Sequence, residues 1–455
     1  MMHCARVLMI STILAAPAAA AERELILLEP DGNAFVARDL WSVPPGGHVL
    51  LGTAMVAIDP ASGLLMATID QPDNPADGNG LGSVADTYRM TVYEITNTEY
   101  LEMLDAVAAA DPNGLFNFNI MTDSDRGGLL QSGAPGSFTY SIKPEFANKP
   151  VNGVSWWDSA RYCNWLHNGK PTGAQGPSTT EDGVYDLSLS GDLIVRKPSA
   201  RYFIPTHDEW YKAAYYDPFD SGADGGGTVD YWLYPTRSDS VPIKATSTVI
   251  GDVANPGPNV ANLDRGADWN GENGNVTTVG GTMASNAWGV ADLAGNVNEP
   301  TETLGTPIPA DPPDQPDPLP TRRLRGGDFA NVEILASSPS GFSGSLNMLA
   351  EAANIGFRVA AKLCPVPGDP TQLLLNRQTD DVLLTWDDPG GATLWNVYRD
   401  GNPDRTTWGA ALHSGVSDEI PAAPGIQFLD PGAINAGSPL FYLVTAITEC
   451  GGSAL

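Results

Sequence analysis

The chain has 455 residues with 24 Lys and Arg against 54 Asp and Glu, a formal charge of −30. A surface that acidic repels phosphate backbones and anionic headgroups, which excludes nucleic acid and membrane surfaces as partners. The 49 glycines and 38 prolines, set beside 11 Trp and 14 Tyr, predict a loop-rich globular protein with enough apolar material for two compact units.

Residues 1–21 read as a signal peptide: Arg6 is the basic start, Val7 to Leu14 the apolar stretch, and Pro17 to Ala21 a small-residue cleavage region. This predicts a secreted or periplasmic protein, and no later stretch has the roughly 18 apolar residues that a membrane span needs. Residues 22–64 hold apolar runs at Leu25–Leu28 and Val49–Ile58 between Pro-Asp-Gly and Pro-Pro-Gly-Gly turns, a β-rich extension. Over 65–362, three sites place a hydroxyl three residues ahead of a carboxylate: Thr96 and Glu99, Ser155 and Asp158, Thr206 and Glu209. Each spacing predicts a capping box and therefore a short helix, so Glu99 and Glu209 are read as caps rather than as acid/base catalysts.

The stretches 169–198 and 216–285 lack periodic pattern and are expected to be ordered loop or short strand. Residues 304–321 hold seven prolines and predict an exposed loop, and Ile355–Ala360 reads as a strand. The cluster Pro365, Pro367 and Pro370 marks a domain boundary. Beyond it, 365–455 carries short β-rich runs at Val382–Trp386, Leu394–Tyr398 and Phe441–Ala446, an all-β immunoglobulin-like sandwich that resembles a fibronectin type III domain.

Without Cys4, three cysteines remain. Cys364 and Cys450 flank the last segment and are expected to bridge in an oxidising compartment, whereas Cys163 sits in an apolar pattern and reads as buried core. The histidines have no metal-ligand spacing. Asp292 and Glu299 lie seven apart across a Gly-containing turn, and with the carbonyls of Gly295 and Val297 they offer four oxygens suited to calcium.

Four segments, in order, resemble one family: Lys149–Asp158 running to Tyr162–Leu166, Arg201–Trp210, Asn286–Glu299, and Arg323–Phe329 with Asn354–Ala360. Their wording and order are similar to the sulfatase-modifying factors, which include the formylglycine-generating enzyme. The resemblance spans about 300 residues and implies an α+β, C-type-lectin-like fold with much irregular structure. It also implies calcium at Asp292, Gly295, Val297 and Glu299, and at a second site begun by Asn262 and Leu263. One departure is Asn298-Glu299-Pro300, where the family usually has Trp-Glu-Trp.

The family's oxidase binds copper through two cysteines after the Gly-Gly pair, and counting from Gly326-Gly327 those positions fall on Asn331 and Ala336. Neither offers the soft sulfur that Cu(I) needs, so copper is not expected. Ser337, Ser338, Ser340, Ser343 and Ser345 have no nearby histidine in the sequence to act as base. The expectation is therefore a secreted binding module for a protein, peptide or glycan, presented on long loops. The alternative is a divergent oxidase, or another enzyme using the same cleft. Trp232, Trp269 and Trp288 are the aromatic binding candidates, against a reading of all three as core.

Overall fold

The computed structural model describes residues 54–59, 61–218, 231–306, 320–338 and 344–363, together with strands in the flanking regions. The expected signal peptide at residues 1–21, Cys364 and Cys450, and most of the proline-rich stretch lie outside the described residues. The chain divides into two compact units, residues 1–361 and 362–455.

The first unit opens with β1 (Leu25–Leu28), β2 (Ala34–Ala37), β3 (His48–Leu51), β4 (Ala54–Ile58), β5 (Leu65–Ile69) and β6 (Tyr88–Thr91). Helix α1 (Asn97–Val107), the hairpin β7 (Leu129–Ser132) and β8 (Thr139–Ile142), and α2 (Trp156–His167) follow. Next come β9 (Tyr202–Phe203), α3 (His207–Tyr215), β10 (Ile243–Lys244) and β11 (Val260–Ala261). The unit closes with β12 (Glu299–Leu304), β13 (Thr321–Arg325), β14 (Ser345–Asn347) and β15 (Ala360–Lys362).

All three predicted capping boxes form. Thr96, Ser155 and Thr206 each accept from the amide three residues on, while Glu99, Asp158 and Glu209 reach back to the cap amide. Each helix then buries the stripe its sequence carries: Tyr100, Met103, Leu104 and Val107 on α1, Trp156, Ala160 and Cys163 on α2, and Trp210, Ala213 and Ala214 on α3. Cys163 is a free thiol, wholly buried, and burial pushes it well above the usual thiol range.

An eight-stranded sheet runs in the order β2-β1-β3-β4-β5-β6-β15-β9. The N-terminal strands therefore extend the sheet that holds β6 and β15. The proline-rich stretch links β12 to β13, which pair antiparallel with Leu304 opposite Arg322. Residues 355–359 differ from expectation. They are irregular, and only Ala360–Lys362 is a strand, because the segment serves several partners: Phe357 O accepts from Ile95 N at 2.9 Å and Val359 O from Thr91 N at 2.8 Å. Packing confines its backbone as well, since a Cβ on Gly356 would press on Val151 O at 2.7 Å.

The second unit contains β16 (Leu374–Gln378), β17 (Asp381–Trp386), β18 (Leu394–Asp400), β19 (His413–Val416), β20 (Ile426–Asp430), β21 (Phe441–Thr448) and β22 (Gly451–Gly452). They pair as a three-stranded sheet, β16-β17-β20, and a four-stranded one, β19-β18-β21-β22.

If the caps hold the helices as the geometry indicates, Thr206→Ala should cost about 1 kcal/mol of stability in urea unfolding, since it leaves the Glu209 amide without its acceptor. No loss of stability would remove the cap from the account of α3.

Candidate functional site

The turn before β12 is wound through left-handed backbone at Asp292 (φ 55°), Gly295 (φ 84°) and Asn296 (φ 60°). Asp and Asn tolerate that region better than other side chains, and glycine is unrestricted there. At Gly295 the requirement is also steric, because a Cβ would overlap the carbonyl oxygen of Asn262. Asn262 and Gly295 form a parallel bridge, with Asn296 N donating to Asn262 O at 2.9 Å and Gly295 N to Gly326 O at 2.9 Å. The two ligand sets expected from sequence, 262–263 and 292–299, thus lie side by side.

Asn262 donates through Nδ2 to Asn275 O at 2.9 Å, Asn296 Oδ1 at 3.1 Å and Thr277 Oγ1 at 3.3 Å, and its own Oδ1 is buried with no hydrogen-bond partner. The Leu263 carbonyl accepts from Gly266 N at 3.1 Å. The carbonyls of Gly295 and Val297 accept no hydrogen bond among the described residues. Asp292 is buried, takes the Gly280 amide on one oxygen and the Thr282 hydroxyl at 3.2 Å on the other, and lines a small pocket with Thr236 and Thr282. Burial raises the Asp292 carboxyl above the usual range, against the pull of the Gly280 amide and Arg358.

Glu299, the first residue of β12, is occupied by a partner that local sequence spacing does not reveal. Arg358 binds it bidentately, Nε to Oε2 at 2.6 Å and Nη2 to Oε1 at 2.7 Å, and Trp210 Nε1 donates to Oε2 at 2.6 Å. Both charged side chains are out of water, 0% and 1% exposed. Near them lies a third carboxyl, Glu94, fully buried and without a hydrogen-bond partner on either oxygen. Burial drives Glu94 well above the carboxylate range, reinforced by Asp292 and opposed by Arg358. Arg358 belongs to the Gly-Phe-Arg motif but had no role assigned from sequence. Glu94 had no signal at all.

This donor set fits a hard cation in part. Two unpartnered buried carbonyls and an orphaned amide oxygen are oxygen ligands of the kind calcium takes. The Glu299 carboxylate, however, is already neutralised by Arg358. Among the described residues no three His, Cys, Asp or Glu side chains gather closely enough to hold a metal, so a cation here depends on the carbonyls.

Asn331 and Ala336, the positions where the resemblance implies the oxidase thiols, both lie near Gly327. A Cβ on Gly327 would stand 3.5 Å from Asn331 Oδ1 and 3.9 Å from Ala336 N. Asn331 is instead tied to Asp328, accepting its amide at 3.1 Å and donating back to its carbonyl at 3.0 Å, and Ala336 is buried against Ala261, Leu263 and Ala294. The donor set holds no sulfur, so it does not fit copper. Of the aromatic candidates, Trp269 and Trp288 are buried and Trp232 is half-buried. Glu209, besides capping α3, is forked by Arg196 at 3.0 and 2.8 Å.

The chain belongs to the sulfatase-modifying factor enzyme 1-like domain family, whose match runs over residues 43–363 and so takes in β3 and β4. Similar solved structures include CarF (17% identity, 66% of this chain and 98% of that one, TM-score 0.38). The Treponema denticola variable protein 1 is also similar (17% identity, 69% and 98%, TM-score 0.35), as is PvdO from Pseudomonas aeruginosa (17%, 68% and 98%, TM-score 0.32). No curated protein matches the chain. Among the described residues no helix is long and apolar enough to cross a membrane.

Because Glu94 is held above its unfolded value of about 4.3, the native state keeps a proton that the unfolded chain releases, and stability falls as pH rises beyond that value. Glu94→Gln removes the titration. Its melting temperature should exceed that of the wild type at pH 8 and match it near pH 4, and identical pH profiles would show that the carboxyl carries no such linkage.

Proposed function

We propose that this chain is an exported binding protein: a sulfatase-modifying-factor scaffold that has lost the family oxidase's copper chemistry, stabilised by calcium and followed by a fibronectin type III-like sandwich. The observation that carries the reading is at Gly327. The Asn331 side chain and the Ala336 backbone both lie beside Gly327, and at these two positions, where the resemblance puts the oxidase's thiols, the side chains are an amide and a methyl group. Their surroundings are complete without a metal, since Asn331 is hydrogen-bonded to Asp328 and Ala336 is packed in an apolar cluster.

Support for calcium is three unpartnered oxygens, the Gly295 and Val297 carbonyls and Asn262 Oδ1. Asp292, the Gly295 and Val297 carbonyls and Glu299 would hold one ion, and Asn262 Oδ1 with the Leu263 carbonyl would begin a second site. A bound calcium ion supplies positive charge to a buried region where Glu94, Asp292 and Glu299 face the single guanidinium of Arg358. The long loops would carry the ligand contacts, to a protein, a peptide or a glycan, on a scaffold held rigid by the helices and sheet. Export is supported by the charged, apolar and small-residue pattern of residues 1–21, and the sandwich by the β-rich pattern of 365–455, whose strands pair antiparallel in two sheets.

Two measurements test these points separately. With copper supplied, the purified chain should form no aldehyde on a cysteine-containing sulfatase-type peptide, and turnover above background would return it to the oxidases. Chelator should lower the melting temperature by several degrees and added calcium restore it. Asp292→Asn should melt at one temperature under both conditions, whereas a wild-type melt indifferent to chelator would refute the cation.

A further inference from the structure

At the end of β13 a positive charge is buried without a counter-ion. Arg325 is 2% exposed, and its Nε donates to His207 Nε2 at 2.6 Å, with Nη2 turned to the same ring nitrogen. Nη1 is buried with no hydrogen-bond partner. The imidazole is buried and neutral, because burial, with Arg325 and Arg323 beside it, holds it down at about 3. It accepts the guanidinium protons and returns no charge. The rings of Tyr211 and Trp210 lie 5.1 and 6.0 Å from Arg325 Cζ, and ring faces offset only part of a desolvated charge.

The carboxylates that strand register and sequence bring towards Arg325 are engaged elsewhere. Glu299, opposite it across β12 and β13, is held by Arg358. Asp328, three residues on, takes the side-chain amides of Asn354, at 2.7 Å, and of Asn298. Asp208, next to His207, takes Gly82 N at 2.9 Å. Among the described residues Arg325 forms no ion pair. A guanidinium cannot shed its proton, and the N-terminus of α3, which begins at His207, adds charge of the same sign. The site therefore lacks one negative charge that this chain does not supply, and a buried charge left in that state is costly.

We propose that Arg325 anchors a binding site for a carboxylate borne by a ligand. With Nε and Nη2 on His207, the end of the guanidinium still offers Nη1 and the second Nη2 proton side by side, the parallel pair that a planar carboxylate accepts. Entry is beside residues 336–338. Tyr215 donates its hydroxyl to Ala336 O at 2.9 Å, whereas the Tyr211 hydroxyl stands 3.4 Å from Ser338 O and already gives its proton to Asp77 at 2.7 Å. The contact of Tyr211 with Ser338 is the weaker of the two, and it parts to admit the anion. None of these groups is among those offered to calcium, so the site stands or falls apart from that reading and from the missing copper thiols.

The test is the anion dependence of unfolding in the full chain, at pH 7 and constant ionic strength, with sodium acetate replacing sodium chloride. A ligand bound by the native state alone lowers the apparent unfolding constant by the factor 1 + [L]/Kd. Above half-saturation, each tenfold rise in acetate should therefore lower it about tenfold in the wild type. Arg325→Met keeps much of the bulk without the charge and should not respond to the exchange. A second reading needs only the wild type to be folded: the His207 ring-proton resonance, assigned through His207→Gln, should shift with acetate at the same half-saturation and stay fixed in chloride. Acetate and chloride acting alike, a variant that keeps the wild-type response, or a His207 resonance unmoved by acetate would each overturn the site. Phosphate acting as strongly as acetate at the same ionic strength would overturn the carboxylate fork.

Discussion

The Arg358 guanidinium, with no exposure to water, is the joint on which the middle of the structure depends. It donates to Glu299 at the head of β12, to Thr91 O at the end of β6 (3.1 Å) and to Ala291 O before the Asp292 turn (3.1 Å). Through Glu299 it reaches Trp210 of α3. Desolvating a guanidinium and a carboxylate costs several kcal/mol each, and that cost is offset only when their donors and acceptors are filled. Here the geometry fills them, which fixes four separately folded segments at one point. The pair is an instrument of position more than of net stability: a well-packed apolar replacement of both partners is often neutral, whereas removing one typically costs about 3–5 kcal/mol.

Around that joint the chain is mostly loop, and asparagine side chains do the work that ladders do elsewhere. Asn97 donates to Phe146 O and Lys149 O, Asn164 to Thr180 O and Tyr185 O, and Asn152 to Arg126 O and Ala353 O. An amide carries two donors and an acceptor with two lone pairs, enough to satisfy buried backbone groups from two strands of irregular chain at once. This is how irregular chain packed around α1 and α2 folds with many of its backbone groups paired.

The sequence was legible where the signal is local. Capping boxes span four residues, and all three boxes were read correctly with their helices. So was the buried state of Cys163, and the four ordered motifs carried the family. The site was legible only in its covalent half. Asp292, Gly295, Val297 and Glu299 stand in one turn and could be read together, but the partner of Glu299 is 59 residues away and Glu94 is some two hundred away. No spacing rule connects them. The strand expected at 355–360 shortened to Ala360–Lys362 for the same reason, since the residues before it bond to Thr91 at the end of β6 and to Ile95 in the loop beyond it.

Charge gives the strongest physical argument for treating the turn and the surroundings of Gly327 as separate matters. At Gly327 the surroundings are satisfied: a polar turn through Asp328 and Asn331 on one side, an alanine in an apolar cluster on the other, with no orphaned group needing a partner at either residue. At Asp292 and Glu299 the account remains open, because Asn262 Oδ1 and both Glu94 oxygens are buried without partners. Carboxylates left in that state must either keep a proton or acquire a cation. Those are competing solutions to one deficit, and the choice between them sets how strongly the scaffold's stability responds to pH on one side and to calcium on the other.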